Sequence, residues 1–331
     1  MRPADIKFNL TVDDFDSLIT YPDQSQWLTP DPSAAHDPAL DIWFDDTYHL
    51  TNVTGASLSF GFKGSEFYLF GASGPSFGSY EVEIDGRAQK FTAHAAQNSS
   101  QHLLFSTASL RYADHTVKVT NLGAKHYGEG NQLLLDFVKT TFDIAPPGAT
   151  LTNTTLEETD SQLVYTGNWT ENVFNPLFSG GFSRFTNDVN GSVSLSFHAT
   201  SIFIFGDKTD RHGLYNVTLD GRTQTFNGVS GCGGAFAHAC EKDNTLAFFA
   251  ANLDESLHTV KVQNIPGELG AFFDLDAIVL TTPSAYLHKY ASRESRMVRR
   301  TSAAARLGEP SLHLLLLLFF LGLALTHRFR R

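Results

Sequence analysis

HTVKVTN at residues 115–121 returns as HTVKVQN at 258–264, and the repetition reaches far beyond seven residues. At an offset of about 135 positions, LTNVTGASLSFGFKGSEFYLFG (50–71) lies over FTNDVNGSVSLSFHATSIFIFG (185–206). GSYEVEIDGRAQKF (78–91) likewise lies over GLYNVTLDGRTQTF (213–226). Upstream, DDFDSLITY (13–21) matches EETDSQLVY (157–165), each followed by a tryptophan, Trp27 or Trp169; downstream, LLDFV (134–138) answers DLDAIV (274–279). A unit of about 130 residues is too long for a solenoid repeat and right for a whole domain. The chain therefore divides into a first domain (1–143), a linker (144–150, IAPPGAT), a second domain (151–282), a polar basic stalk (283–311), an apolar segment (312–326) and a basic tail (327–331).

Within each unit the pattern is β. Leu58, Phe60 and Phe62 alternate with Ser57, Ser59 and Gly61, and Val193, Leu195 and Phe197 repeat the alternation. A period of two marks strands with one buried face. FYLF (67–70) and IFIF (202–205) are apolar on both faces, as central strands are, and Asp85-Gly86 and Asp220-Gly221 supply hairpin turns. No 3.6-residue period stands out before residue 284. The expected fold class is all-β: two tandem β-sandwiches of jelly-roll kind, plus a C-terminal hydrophobic helix. In HTVKV, the valines face the core, and His115 and His258 stand at the strand entrance, where a ring nitrogen is expected to bond loop backbone.

Charge narrows the partners. The formal net charge is -11, but residues 289–331 hold nine basic and two acidic groups, leaving -18 on the first 288 residues. A body that acidic repels phosphate backbones, which excludes nucleic acid as a partner. Seven N-x-S/T sequons begin at Asn9, Asn52, Asn98, Asn153, Asn168, Asn190 and Asn216, against about three expected by chance. They point to N-glycosylation in the secretory pathway, where Cys232 and Cys240, the sole cysteines, would form a disulfide. The first residues, MRPADIKFNLTVDDF, contain no apolar signal region, so a missing leader is expected.

LHLLLLLFFLGLAL (312–325) is followed by THRFRR. Fourteen residues span about 21 Å against a bilayer core of about 30 Å. A single short span in the lipid bilayer is the favoured reading. GPI attachment through Ser302-Ala303-Ala304-Ala305 is the alternative.

The motif order resembles a fungal membrane-anchored surface protein type with tandem galactose-binding-like domains, similar to carbohydrate-binding modules. The residues carrying the resemblance are the D-S-x-x-x-Y…W openings (Asp16 to Trp27, Asp160 to Trp169), Phe70-Gly71 and Phe205-Gly206, the G-x-Y-x-V…D-G hairpins and the two HTVKV strands. It implies a protein displayed outside the cell that meets glycans or cell-wall polysaccharide without catalysing a reaction. A purely structural or adhesive protein is one alternative, and a carboxylate-based glycan hydrolase another. In related calcium-binding modules, carboxylates of the first and last strands share a structural Ca²⁺. The counterparts here are Asp14, Asp16 and Asp136, repeated as Glu158, Asp160 and Asp276. Trp43, in DIWFDD, is the foremost candidate for stacking on a sugar, with Trp27 and Trp169 behind it. GPSFG (74–78) matches the G-x-S-x-G elbow, yet the second unit reads TDRHG there, so Ser76 is read as turn chemistry.

Overall fold

The computed structural model describes residues 5–30, 39–125, 129–173, 175–231, 241–267 and 270–287. The Cys232–Cys240 disulfide, most of the stalk and the 312–326 segment lie outside the described residues. Among those described, no helix is long and apolar enough to cross a membrane. The architecture is all-β, with antiparallel sheets packed as sandwiches.

The first sandwich is built from ten strands. They are β1 (Ile6–Asp13), β2 (Ile19–Thr20), β3 (His49–Thr51), β4 (Ser57–Gly64), β5 (Glu66–Ser73), β6 (Ser79–Ile84), β7 (Arg87–Thr92), β8 (Ser99–Thr107), β9 (Ala113–Gly123) and β10 (Leu133–Ala145). One sheet runs β1-β10-β5-β8 with β3 also on β10, and the facing sheet runs β2-β4-β9-β6-β7. The second sandwich repeats this plan with β11 (Leu151–Glu157), β12 (Val164–Thr166), β13 (Thr170–Val173), β14 (Phe182–Thr186), β15 (Ser192–Phe197), β16 (Ser201–Lys208), β17 (Leu214–Leu219), β18 (Arg222–Asn227), β19 (Lys242–Ala251), β20 (His258–Ile265), β21 (Phe273–Leu275) and β22 (Ala277–Pro283). Its sheets run β11-β22-β16-β19 and β12-β15-β20-β17-β18, with β13-β14-β21 as a short third.

Each repeated motif has a physical task. Leu58, Phe60, Val117 and Val119 are buried between the sheets, as are Val193, Leu195, Val260 and Val262. Burying each such side chain contributes about 1.5–3 kcal/mol. Asp85 and Gly86, at φ +50° and +78°, form the two-residue turn joining β6 to β7, and Asp220 and Gly221 match them at +48° and +79°. Both positions lie in the left-handed region that this hairpin turn requires. The hairpin tyrosines tie sheet to sheet: Tyr80 donates to the Leu104 carbonyl at 2.5 Å, and Tyr215 to that of Ala247 at 2.7 Å. Gly71 and Gly206 are needed because a Cβ would lie 1.9 Å from the Leu134 oxygen and 2.4 Å from the Asp274 oxygen.

Between the sandwiches, β10 continues to Ala145 and β11 begins at Leu151. The sandwiches meet over a mixed interface. Phe142 packs on Phe249 at 5.0 Å and Phe8 on Phe203 at 6.0 Å. Beside these rings, Leu246 N donates to Asp16 Oδ1 at 2.6 Å, and Ser17 N to the Leu246 carbonyl at 3.2 Å.

Candidate functional site

The predicted acids are accounted for by the architecture. Asp136 interrupts the register of β10 against β5, and Asp276 breaks the equivalent strand into β21 and β22. Each carboxylate reaches the loop crossing over it: Phe44 N donates to Asp136 Oδ1 at 2.8 Å, and Ser179 N to Asp276 Oδ1 at 2.9 Å. Asp14 accepts from Thr47 Oγ1 at 2.8 Å and lies 2.5 Å from His49 Nδ1. Burial pushes the Asp14 carboxyl far up and the His49 imidazole far down. Asp16 caps the β1 end at Asp13 N, and Asp160 accepts from Gln162 N in a local turn. Glu158 is buried below Tyr165, whose hydroxyl donates to its carbonyl. Among the described residues, no group of three or more His, Cys, Asp or Glu is gathered to hold a metal ion.

The first-sandwich acids instead face two lysines of the second. Lys208 is buried, and that burial lowers its pKa to about 8 against the attraction of Asp16, Asp14 and Asp13. Lys242 pairs with Asp45. Ser73 stands where Lys208 does in the other copy, so this pairing exists only between the sandwiches.

The tryptophans divide. Trp27 is 1% exposed and belongs to the core. Trp169 is half-buried, its Nε1 donating to the Thr166 carbonyl, and Trp43 is half-buried against Tyr48 at 5.3 Å. Ser76 lies in a tight turn closed by Phe77 N on the Gly74 carbonyl. The sequon asparagines are exposed except Asn216, which is half-exposed between buried Tyr215 and Val217.

The cluster that sequence reasoning missed lies in the second sandwich. Asp207 comes from the end of β16, His212 from the turn after it, and Asp274 from β21. With Glu241, Arg211, Phe185 and Phe272 they line a cleft of about 500 Å³. His212 Nε2 lies 3.3 Å from Asp207 Oδ1, and both side chains are 6% exposed. Ser183 donates to Asp274 Oδ2 at 2.7 Å. Asp207 Oδ1 and Asp274 Oδ1 are buried with no hydrogen-bond partner among the described residues. Burial first, then the charge of Asp274, pushes the Asp207 carboxyl far up. Burial also raises Asp274, against the Ser183 hydrogen bond, and lowers His212 to about 4. Near neutral pH the imidazole is therefore uncharged, while burial disfavours charge on both carboxyls.

The duplicated fold supplies its own control. Parallel bridges His212↔Phe272 and Phe77↔Gln132 occupy the same place in the two sandwiches, as do the pairings Phe185↔Asp274 and Leu50↔Leu134. Asp207, His212 and Asp274 thus correspond to Ala72, Phe77 and Leu134. The first sandwich has there a smaller cleft of about 230 Å³, bordered by Trp27, Leu50 and Gln132. Apolar packing suffices for the fold at these positions, so the polar trio answers a different demand. That exchange was the one signal in the sequence that could have revealed the site.

No family model matches the chain. The A type blood alpha-D-galactosamine galactosaminidase of Flavonifractor plautii is 25% identical over 233 residues, 70% of this chain and 20% of that protein. The A type blood N-acetyl-alpha-D-galactosamine deacetylase of the same organism is 31% identical over 77 residues, 23% of this chain and 10% of its own. Among solved structures, a two-domain esterase active on acetylated mannans shares 14% identity over 41% of this chain and 37% of its own, at a TM-score of 0.32. The chain spans about a fifth or less of the length of the curated relatives it matches. Both relatives are named as carbohydrate-active enzymes, and this corrects the expectation of a non-catalytic surface protein. The hydrolase alternative agrees with them better. The chain is related in sequence to bacterial carbohydrate-active enzymes and has a β-sandwich fold.

Proposed function

We propose that the chain takes part in hydrolysing amino-sugar-bearing glycans, with the Asp207–His212–Asp274 cleft as its reactive centre. The observation that carries this is a pair of buried carboxyl oxygens without partners, on two acids whose counterparts in the sister sandwich are the apolar Ala72 and Leu134. Glycoside hydrolysis needs one carboxylic acid to protonate the leaving oxygen and one carboxylate to activate water or attack carbon. Asp207, pushed up by burial and by Asp274, suits the acid. Asp274, oriented by Ser183, suits the base or nucleophile once its partner holds the shared proton. Neutral His212 stands beside the Asp207 carboxyl, its Nε2 3.3 Å from Oδ1, without a hydrogen bond to that oxygen. Phe185 and Phe272 offer apolar faces to a sugar ring. The names of the relatives supply the substrate class.

The finer architecture in this reading is a tandem pair of galactose-binding-like jelly rolls, supported by the strand order shared between the copies. Secretory exposure is supported by the placement of the sequons. Surface display through residues 312–326 completes it, with alkaline carbonate extraction of membranes as its check. The activity is tested with nitrophenyl α-galactosaminide and its N-acetyl form, following nitrophenol and acetate release by the full chain. Release that D207N and D274N both lose supports the assignment. Release by wild type that neither substitution alters would remove the cleft from the reaction.

A further inference from the structure

A second cleft, of about 560 Å³, opens in the first sandwich between the β6–β7 hairpin and the connection from β8 to β9. Its charge runs against that of the acidic body. Arg87 and Arg111 line it and are exposed, and no ion pair holds either guanidinium among the described residues. His115, also on the wall, carries a third positive charge by geometry. Nδ1 lies 2.6 Å from Asp85 Oδ2 and Nε2 lies 2.8 Å from the Arg111 carbonyl. Both partners accept only, so both ring nitrogens hold protons. Asp85 is the sole carboxylate of the lining, and its oxygens are already taken by His115 and by Thr116 N at 2.9 Å. The walls add the Gln89 amide and the Ser106 hydroxyl, and the floor is apolar where Phe105 lies.

The second sandwich shows which of these groups the fold needs. The Asp-Gly turn, the arginine and glutamine after it and the strand histidine recur as Asp220, Arg222, Gln224 and His258. His258 Nε2 bonds the Asp254 carbonyl as His115 bonds that of Arg111, so Asp254 replaces Arg111. Ser106 pairs with Tyr68 as Phe249 pairs with Phe203, and Phe249 is committed to the inter-sandwich contact with Phe142. The histidine–aspartate tie is thus common to both copies, while Arg111 and the Ser106 hydroxyl belong to the first alone.

We propose that this cleft binds an anionic saccharide unit, one bearing a carboxylate or sulfate, with Arg87 and Arg111 meeting the anion and Gln89 and Ser106 the hydroxyls. Guanidinium forks match the planar carboxylate and the sulfate face. A bare ion would fill only a small part of the volume, whereas the apolar floor suits the C–H face of a pyranose. The site lies in a different sandwich from the Asp207 cleft and stands independently of any reaction there.

The test is calorimetric titration of the full chain with trigalacturonate, with its neutral counterpart galactotriose and with inorganic sulfate. Trigalacturonate binds saturably, at least about tenfold more weakly to R111D and R87Q, and more weakly again as salt is raised. R111D installs the residue the sister sandwich carries at that position, so it is compatible with the backbone, and R87Q keeps a neutral polar side chain. Equal binding of galactotriose would overturn the anionic requirement. Full displacement by sulfate at the same concentration would overturn the saccharide. Failure of trigalacturonate to bind, or unchanged affinity in both variants, would overturn the site.

Discussion

His115 and Asp85, thirty residues apart, close the same bond as His258 and Asp220, thirty-eight apart: Nδ1 to Oδ2 at 2.6 and 2.7 Å. Each aspartate opens an Asp-Gly turn and also accepts from the backbone amide after its histidine, Thr116 N or Thr259 N, at 2.9 Å. One carboxylate thereby clamps a hairpin tip to the start of the neighbouring strand. For His115, burial opposes the charge most, but the bonds to Asp85 and Arg111 outweigh it and the pKa is raised. A raised folded pKa gives stability that is complete below the unfolded value of about 6.5 and is lost as pH rises through the folded one. His115→Gln should therefore lower stability by about 1–2 kcal/mol near pH 6 and by less at pH 9. Urea unfolding at both pH values checks this; a constant difference would mean that the ring acts uncharged.

Asp136 and Asp276 predict an unusual pH profile. Burial raises both to about 7, against the hydrogen bonds from Phe44 and Ser179. Their stabilising effect is complete below the unfolded value near 3.8 and is lost as pH rises toward 7, at up to about 1.4 kcal/mol per pH unit per group. Wild type should thus be more stable at pH 5 than at pH 8. Asp136→Asn keeps the acceptor for Phe44 N and removes the titration, so its thermal midpoint should change less across that range. An equally steep profile in the variant would assign the pH dependence elsewhere.

Lys208 predicts a coupling across the sandwich interface. It is buried facing Asp13, Asp14 and Asp16. Removing one partner of a buried charged group costs about 3–5 kcal/mol, while removing both can be close to neutral. Lys208→Met should therefore destabilise strongly, and adding Asp16→Asn should restore part of the loss. The double-mutant cycle reads this directly, and additive losses would show that the two groups do not interact.

The sequence made the fold legible because a duplicated fold states its rules twice. Val117 and Val260, Asp85 and Asp220, and Gly71 and Gly206 recur at the same structural positions and do the same work. The same logic hid the sites. Identity between copies marks what both sandwiches need, so His115 and Asp136 drew notice while Asp207 and Arg111 did not. The His–Asp tie was missed for another reason. Its sequence spacing differs by eight residues between copies, and only the hairpin geometry brings the pair together. Trp27 and Trp169 show the limit of pattern reading: they are equivalent in sequence, yet one is core and the other half-buried.

If the polar trio serves chemistry rather than folding, giving the second sandwich the residues of the first should separate the two. The triple substitution Asp207→Ala, His212→Phe and Asp274→Leu places apolar groups where the sister copy carries them. It removes two buried carboxyls whose outer oxygens lack partners, each such group costing about 1–3 kcal/mol to desolvate. Gly206 still clears the Asp274 carbonyl, which is backbone and is unchanged by the substitution. The thermal midpoint should therefore stay level or rise by a few degrees, about 2–4 °C for each kcal/mol gained, while glycan hydrolysis is lost. Stability retained with activity lost is the signature of a site kept at the expense of packing. A variant that unfolds would instead make the trio part of the sandwich core, and one that stays active would clear all three residues of any part in the reaction.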